Sequence, residues 1–151
     1  MTNDELKSSI VELLPTAAFE DGGEWINVFV EVNDFRNMMK SLRNTKGFDF
    51  DYMFCLTCVD WKTHFTMVYH LTSTIHRHQL VIKSKLDRNN PEIETICDIW
   101  RTAELLEREV FDLFGVKFIN HPDLRRLLLT DDWVGYPLRK DYDDPVNMIK
   151  L

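Results

Sequence analysis

The 151-residue chain contains few of the residues on which many enzyme and cofactor sites depend, with five glycines, five prolines and three cysteines. It has no GxGxxG, P-loop or GxSxG motif, which argues against a dinucleotide or phosphate cradle and against a serine-hydrolase site. No apolar run approaches the roughly 18 residues that a membrane span requires. Its acidic first residues are followed by no apolar segment of a secretory signal. We therefore expect a soluble, intracellular, single-domain protein.

The three cysteines are too few for a disulfide framework, and they are one short of the four thiolates that an iron–sulfur cluster normally takes. Cys55 and Cys58 form a CxxC pattern inside a predicted strand, where residues three apart point to opposite faces. A redox or metal CxxC instead lies at a helix start or in a turn. We interpret these two residues as core cysteines, and with Cys97 we expect no bound cluster.

Charge is unevenly distributed along the chain. The net charge of −7 argues against nucleic acid as the main partner. Residues 1–60 carry eleven acidic against five basic side chains, whereas residues 61–88 carry five basic side chains and Asp87. The basic segment either meets an acidic partner or lipid headgroups, or forms one solvated face of a sheet, which is the commoner arrangement.

Apolar periodicity predicts an α+β fold, in which helices pack on a small mixed or antiparallel sheet. Residues 48–60 are apolar on both faces, as in a central strand covered on both sides. His64, Thr66, His70 and Thr72 share one face of the next strand. The predicted helices begin at the capping box Thr2–Glu5, at Asn33 or Asp34, at Asn90 and near Thr102, and the predicted strands cover 25–32, 48–60, 63–72 and 75–85.

Residues 120–151 have no periodicity, although they are rich in aromatics, prolines and paired charges. Such a segment rarely buries itself and usually lies on another surface. We therefore divide the chain into an α+β domain over 1–119 and an extended C-terminal arm over 120–151 that docks on partner subunits. Removal of the arm is expected to abolish assembly and to leave the domain folded.

The histidines of the basic segment are a candidate metal site. His76 and His78 share one predicted strand face, and His64 and His70 share another, so the two pairs could approach one another. No HExxH or carboxylate-bearing metal motif accompanies them. Histidines on the polar face of a sheet are the favoured interpretation.

The densest ionic group lies on the last predicted helix, which Gly115 ends. Glu104, Arg108 and Asp112 are spaced by four residues and can form an acid–base–acid ladder. Glu107 and Glu109 do not easily share a cleft, as a catalytic acid–base pair must. The group is either a solvated helix face or an ionic surface that a partner buries.

A longer pattern contains this group. Over residues 107–128, ERE is followed by an acid, two apolar residues, a histidine, a base and two aliphatic residues. The matching positions are Glu107, Arg108, Glu109, Asp112, Leu113, Phe114, His121, Arg125, Leu127 and Leu128. This stretch resembles the signature of the respiratory complex I thirty-kilodalton subunit family, the C subunit of NADH-quinone oxidoreductase. Residues 59–60 and 136–142 extend the resemblance loosely, and the first fifty residues match only in their order of elements.

The resemblance implies a non-catalytic scaffold subunit in the hydrophilic arm of a proton-translocating NADH-quinone oxidoreductase. It would lie on the cytoplasmic side of a bacterial inner membrane, peripheral and without a span of its own. Its implied neighbours are the quinone-site subunit and the terminal-cluster subunit. FMN, iron–sulfur clusters and quinone would be bound by other subunits, with no catalytic, cofactor or metal residue in this chain.

The resemblance also implies roles for single residues. Packing and register within the last helix would fall to Glu107, Arg108, Glu109 and Asp112. The turn into the arm would be locked by His121, Pro122, Arg125 and Arg126, and for the two arginines we favour contacts between chains.

Two alternatives remain open. The equivalent subunit of a membrane-bound hydrogenase or of a ferredoxin-driven relative would share this signature. A freestanding metalloenzyme that uses the histidines of residues 64–78 is the more distant one.

Overall fold

The computed structural model describes residues 1–150, which form an α+β fold. Within that range the helices are α1 (Asn3–Leu13), α2 (Val32–Asn44) and α3 (Ala103–Phe114). The strands are β1 (Ala18–Glu20), β2 (Ile26–Phe29), β3 (Tyr52–Asp60), β4 (His64–Thr72), β5 (Gln79–Asp87), β6 (Glu92–Glu94) and β7 (Lys117–Ile119).

The strands form a mixed five-stranded sheet of order β1-β2-β5-β4-β3 and a separate parallel pair, β6-β7. In the large sheet β2 and β5 are parallel, and the other neighbours are antiparallel. The predicted fold class, a small mixed sheet with helices packed on it, is confirmed.

Local sequence explains where the first two helices begin. Thr2 closes a capping box with Glu5, since each residue's backbone N–H donates to the other's side chain. α2 begins one residue before the predicted cap, because Glu31 holds the extended N-cap conformation and its carbonyl accepts the Asp34 N–H. The predictions of Asn33 or Asp34 as cap were therefore wrong by two or three residues.

The core lies between one face of the sheet and the helices. Along β4 the side chains at 65, 67, 69 and 71 are fully buried, as their alternation predicts. From α2, Phe35, Met39 and Leu42 pack against them in one apolar cluster. This cluster is the base on which the C-terminal segments are held.

The prediction of a central strand over 48–60 was wrong, because β3 is the edge strand of the sheet. Its side chains alternate: Met53 and Leu56 are buried, whereas Tyr52 and Phe54 are exposed. The apolar residues on its outer face meet other aromatics, since the rings of Phe54 and Trp25 lie 6.1 Å apart edge to face. Aromatic stacking on an open face had resembled burial on both faces.

The prediction of a helix from Asn90 was also wrong. Glu92–Glu94 instead forms a parallel strand pair with Lys117–Ile119, and residues 95–102 are turns and irregular structure. The proline and acid at its start are equally compatible with this extended pairing. Ile93, Ile96 and Trp100 are still buried, so tertiary pairing overrode a helical pattern and kept its apolar contacts.

The basic segment does not form one positive surface. Lys83 pairs with Glu20 at 2.5 Å, and Arg88 pairs with Asp60 and Asp141 at 2.9 and 2.8 Å. Cys58 is buried as predicted, and burial raises the pKa of its thiol to about 12, whereas Cys55 and Cys97 are half-buried. Among the helices of residues 1–150, none has the length and apolar character to cross a bilayer.

Candidate functional site

The candidate site is the ionic group of α3 together with the arm segment that follows β7. α3 ends where Gly115 adopts the left-handed conformation, with φ of 77°. A Cβ at this position would lie 2.6 Å from the Tyr136 ring and 2.8 Å from the Arg139 guanidinium. Only glycine therefore allows the helix to stop here and the arm to cross directly over its end.

Asp112 is the centre of this site. It is fully buried, and one of its oxygens accepts the backbone N–H groups of Leu127, Leu128 and Leu129 at 3.1, 2.6 and 3.0 Å. Its other oxygen accepts the Arg126 guanidinium at 2.9 Å. Burial by itself would raise the pKa of Asp112, but these four donors hold it below its usual range.

Arg108 holds the same segment from the next turn of α3. Its guanidinium donates to the backbone carbonyls of Arg125 and Arg126 at 3.1 and 3.0 Å. The predicted ladder of Glu104, Arg108 and Asp112 is therefore wrong, since Arg108 donates to the arm's backbone and Asp112 pairs with Arg126. The group is not a solvated helix face either, because Arg108 is buried with Glu107 and Asp112.

Arg126 is used within the chain. Besides Asp112 it donates to the backbone carbonyls of Trp133 and Gly135, both at 3.0 Å, and its side chain is only 12% exposed. Its guanidinium also lies 5.2 Å from the centre of the Tyr136 ring. The expectation that Arg126 mainly contacts another chain is thus contradicted by its internal contacts.

Arg125 differs from Arg126 in exposure. Its side chain is 68% exposed, and its salt bridge within residues 1–150 is with Asp123. An interchain contact of Arg125 stays a prediction. Glu109 is likewise exposed on the outer side of α3, and Pro122 is exposed beside a groove that Arg43 and Trp100 also line.

Glu107 and His121 lie beneath the turn into the arm, with both side chains fully buried. The Glu107 carboxylate accepts the Thr95 hydroxyl at 2.5 Å and the Ile96 N–H at 2.9 Å. His121 Nε2 lies 3.0 Å from the Glu104 carbonyl oxygen and 3.7 Å from Glu107. Glu107 thus joins α3 to the 95–96 segment, and His121 fixes the turn over them.

A second hub, centred on Asp60, was missed by sequence reasoning except for the loose similarity of residues 59–60. The Asp60 carboxylate is nearly fully buried and accepts the Arg88 guanidinium at 2.9 and 3.0 Å. It also accepts the backbone N–H groups of Lys62 and Lys140 at 2.7 and 2.9 Å. The Arg88 hydrogen bonds, above all, hold the pKa of Asp60 far below its usual range. The carboxylate therefore ties the end of β3 to the far part of the arm.

The geometry is that of a clamp, and the comparisons identify the proteins that share its sequence. A family model described as "Respiratory-chain NADH dehydrogenase, 30 Kd subunit" matches residues 28–146. The chain belongs to this family. The family predicted from the ERE pattern is therefore confirmed.

Relatives within this family are both separate and fused chains. The C subunit of NADH-quinone oxidoreductase from Moorella thermoacetica is 38% identical over 141 residues, which cover 92% of this chain and 94% of that one. The C/D subunit of NADH-quinone oxidoreductase from Phocaeicola vulgatus is 46% identical over 112 residues, 73% of this chain. This chain matches only 22% of that C/D protein's length.

Solved structures of two family-like chains have the same fold. A subunit of the membrane-bound sulfane sulfur reductase, an archaeal respiratory membrane complex, superposes with a TM-score of 0.80 and 28% identity, covering 93% of this chain and 85% of that one. A trypsin-resistant fragment of Nqo5, residues 1–134, gives a TM-score of 0.71 and 26% identity, covering 82% of this chain and 100% of the fragment.

The four histidines proposed for a metal site do not converge in this member of the family. His70 packs edge to face against Trp25, with ring centres 5.3 Å apart, on the outer side of the sheet. His76 and His78 stack on each other in the turn before β5, where they bond Asp49 and the Phe48 carbonyl. His64 bonds Thr63 at the other end of β4. The metalloenzyme alternative thus lacks the ligand cluster on which it depended.

Proposed function

We propose that this chain is a non-catalytic scaffold subunit of a proton-translocating NADH-quinone oxidoreductase, supporting electron transfer from NADH to quinone. Its family membership supports this role, as do the Moorella and Phocaeicola relatives, which are named as subunits of that enzyme. The chain would belong to the hydrophilic arm of the complex, peripheral on the cytoplasmic side of a bacterial inner membrane. FMN, iron–sulfur clusters and quinone would be held by other subunits.

The observation that carries the scaffold role is the contrast between the arm's backbone and its side chains. Asp112 holds the backbone at residues 127–129, and Arg126 holds it at 133 and 135. Apolar side chains between these points face outward, with Leu128 64% and Val134 87% exposed. Apolar groups displayed on a fixed backbone favour docking, because little conformational entropy remains to be lost on binding.

The partners we propose are the subunits that carry the quinone site and the terminal cluster. The fused C/D chain of Phocaeicola vulgatus supports the D subunit as one neighbour, since fusion joins two units that would otherwise have to associate. Under this proposal the 120–151 arm, and Arg125 within it, lie against these partners. The division into a domain over 1–119 and an arm over 120–151 is part of the same proposal.

Affinity purification from gently solubilised membranes tests the proposal. The tagged wild-type chain is expected to bring down flavin-bearing and multi-cluster NADH-oxidising subunits, identified by mass spectrometry. Leu128→Asp and Val134→Asp should lower their recovery, by roughly 30-fold if each is an interface anchor of about 2 kcal/mol. Ile75→Asp is the matched control, because Ile75 is 70% exposed but lies in the turn between β4 and β5.

The possible results separate the parts of the proposal. A wild-type chain that comes down alone would refute membership in the complex. Full recovery with both arm variants would refute the docking role of the arm and leave the family role intact. Flavin or metal bound stoichiometrically by the purified single chain would refute the scaffold description.

A second candidate is the equivalent subunit of a membrane-bound hydrogenase or of a ferredoxin-driven relative. The superposition on a subunit of the sulfane sulfur reductase complex favours keeping it. Recovery of nickel–iron or sulfur-reductase subunits in the same purification, without NADH-oxidising ones, would decide for this candidate.

A further inference from the structure

The buried group beneath the arm's first turn does more than pack. Cys97, Glu107 and His121 each offer one donor atom, and the three atoms lie within 4.8 Å of one another. They come from three places in the chain: the 95–98 segment, α3 and the turn after β7. Thiol, carboxylate and imidazole are also the donors that a zinc site uses.

The hydrogen bonds of His121 do not fit a metal at this position. Its Nδ1 accepts the Asp123 backbone N–H at 3.0 Å, which places the ring proton on Nε2. Nε2 then donates to the Glu104 carbonyl oxygen at 3.0 Å. A metal on Nε2 would need the proton on Nδ1, where it would oppose the Asp123 N–H.

Glu107 is consequently a buried carboxyl with no cation beside it. Within residues 1–150, no lysine or arginine nitrogen lies within 4.0 Å of its oxygens. The nearby Arg36 is committed to Asp98 at 2.6 and 2.9 Å and to the Thr95 carbonyl oxygen. Burial raises the pKa of Glu107 to about 7, although the Ile96 N–H and the Thr95 hydroxyl act to lower it.

We propose that Glu107 and His121 share one buried proton, and that losing this proton loosens the junction between the α+β body and the arm. With the proton the pair is neutral, whichever residue carries it. Without it, a negative charge stays buried against the 95–96 segment and the arm's first turn. His121 couples that charge to the arm, because its ring accepts the Asp123 N–H.

Several other ionisable groups face or surround the pair. Glu104 and the Glu107 neighbour Arg108 lie on α3, and Tyr69 faces it from β4, where Glu107 helps to raise the pKa of the phenol. The remaining groups are Arg36 on α2, Glu94 on β6, Cys97 and Asp98 in the next segment, and Asp123 in the arm. Since no unpaired cation is among them, their sum does not offset a charge on Glu107.

The sign of the effect follows from a folded pKa that exceeds the unfolded one. The folded protein keeps the proton while the unfolded chain has released it, so stability falls as the pH rises from about 4.5 to about 7. His70 and His78 act in the opposite direction, because burial lowers their pKa values. The comparison of wild type with Glu107→Gln isolates the Glu107 contribution.

Urea unfolding of the full chain between pH 5 and 8 is the test. The unfolding constant of wild type, relative to that of Glu107→Gln, is expected to rise on the order of 100-fold over this range. Glu109→Gln is the matched control, because Glu109 is exposed on the same helix, and it should follow wild type. Protection of the Asp123 amide from hydrogen exchange should fall over the same range in wild type alone.

Carboxyl carbon NMR of wild type makes the test independent of the variant's folding. A Glu107 midpoint between about 6 and 8 supports the proposal, and a midpoint near 4.5 overturns it. Parallel pH profiles for wild type and Glu107→Gln also overturn it. So does one equivalent of bound zinc that Cys97→Ala abolishes, which would assign the three residues to a metal. None of these outcomes depends on the partner subunits of the proposed function.

Discussion

At the scale of single residues, two buried aspartates do what the sequence leaves unassigned. Asp112 and Asp60 each gather backbone N–H groups and one arginine from segments that are far apart in the chain. A carboxylate with several donors keeps its charge when buried, since each donor replaces part of the lost hydration. These two side chains fix a segment that has no helix or strand over residues 120–150.

Replacing Asp112 tests its role in holding the arm. Asp112→Ala leaves three backbone N–H groups and the Arg126 guanidinium without their acceptor, so we expect unfolding to become easier by about 3–5 kcal/mol. Urea unfolding monitored by tryptophan fluorescence measures this. Glu109→Ala on the exposed side of the same helix should change stability by less than about 0.5 kcal/mol. Equal effects of the two substitutions would contradict the role given to Asp112.

At the scale of elements, the arm is bound closely to the body along its first two thirds. Leu138 N–H donates to the Leu113 carbonyl oxygen at 3.1 Å, and Arg139 donates to that of Phe114 at 2.7 Å. Beyond residue 142, the hydrogen bonds described are local, among residues 142–150. The structure thus argues against the expectation that the domain stays folded when all of 120–151 is removed.

Two truncations distinguish these parts of the arm. A chain that ends at residue 142 should keep its unfolding free energy within about 1 kcal/mol, because its removed residues contact mainly one another. A chain that ends at residue 119 should unfold cooperatively at much lower urea, since Asp112, Arg108 and Asp60 lose their arm contacts. Circular dichroism during urea titration measures both. Similar stability for the two truncated chains would contradict the clamp and favour an independent domain over 1–119.

At the scale of the whole molecule, opposite pKa shifts give stability an optimum in pH. The pKa values of Asp60 and Asp112 are lowered, so their contribution is present above pH 3.8 and is lost as the pH falls through the folded values. The raised pKa of Glu107 removes stability as the pH rises from about 4.5 to about 7. The chain is therefore expected to be most stable between about pH 4 and 6.

Matched variants separate the two limbs of this pH profile. Arg88→Gln removes the main cause of the lowered Asp60 pKa, so it should move acid unfolding to higher pH and leave the slope between pH 5 and 7 unchanged. Glu107→Gln should flatten that slope and leave the acid limb unchanged. Urea midpoints measured from pH 2.5 to 8 test both. A shift of both limbs by either variant would mean that the two hubs are not independent.

The sequence by itself determined the fold class, the capping box of α1, the strand β4 and the limits of α3. Each of these depends on neighbours within one helical turn or two strand residues, so local periodicity is sufficient. The ERE pattern also determined the family. Among the site residues, it selected the Asp112, Arg126 and His121 positions without revealing what each one contacts.

Only the tertiary structure decided the remainder. β3 became an edge strand and residues 92–94 became a strand, because pairing partners distant in sequence, not local propensity, fix the place of a strand in a sheet. The Asp60 hub joins residues 60, 88 and 140, a spacing that no local pattern specifies. The polar groups of the arm are satisfied by α3 and the sheet, so a segment without periodicity is nevertheless held in a definite shape.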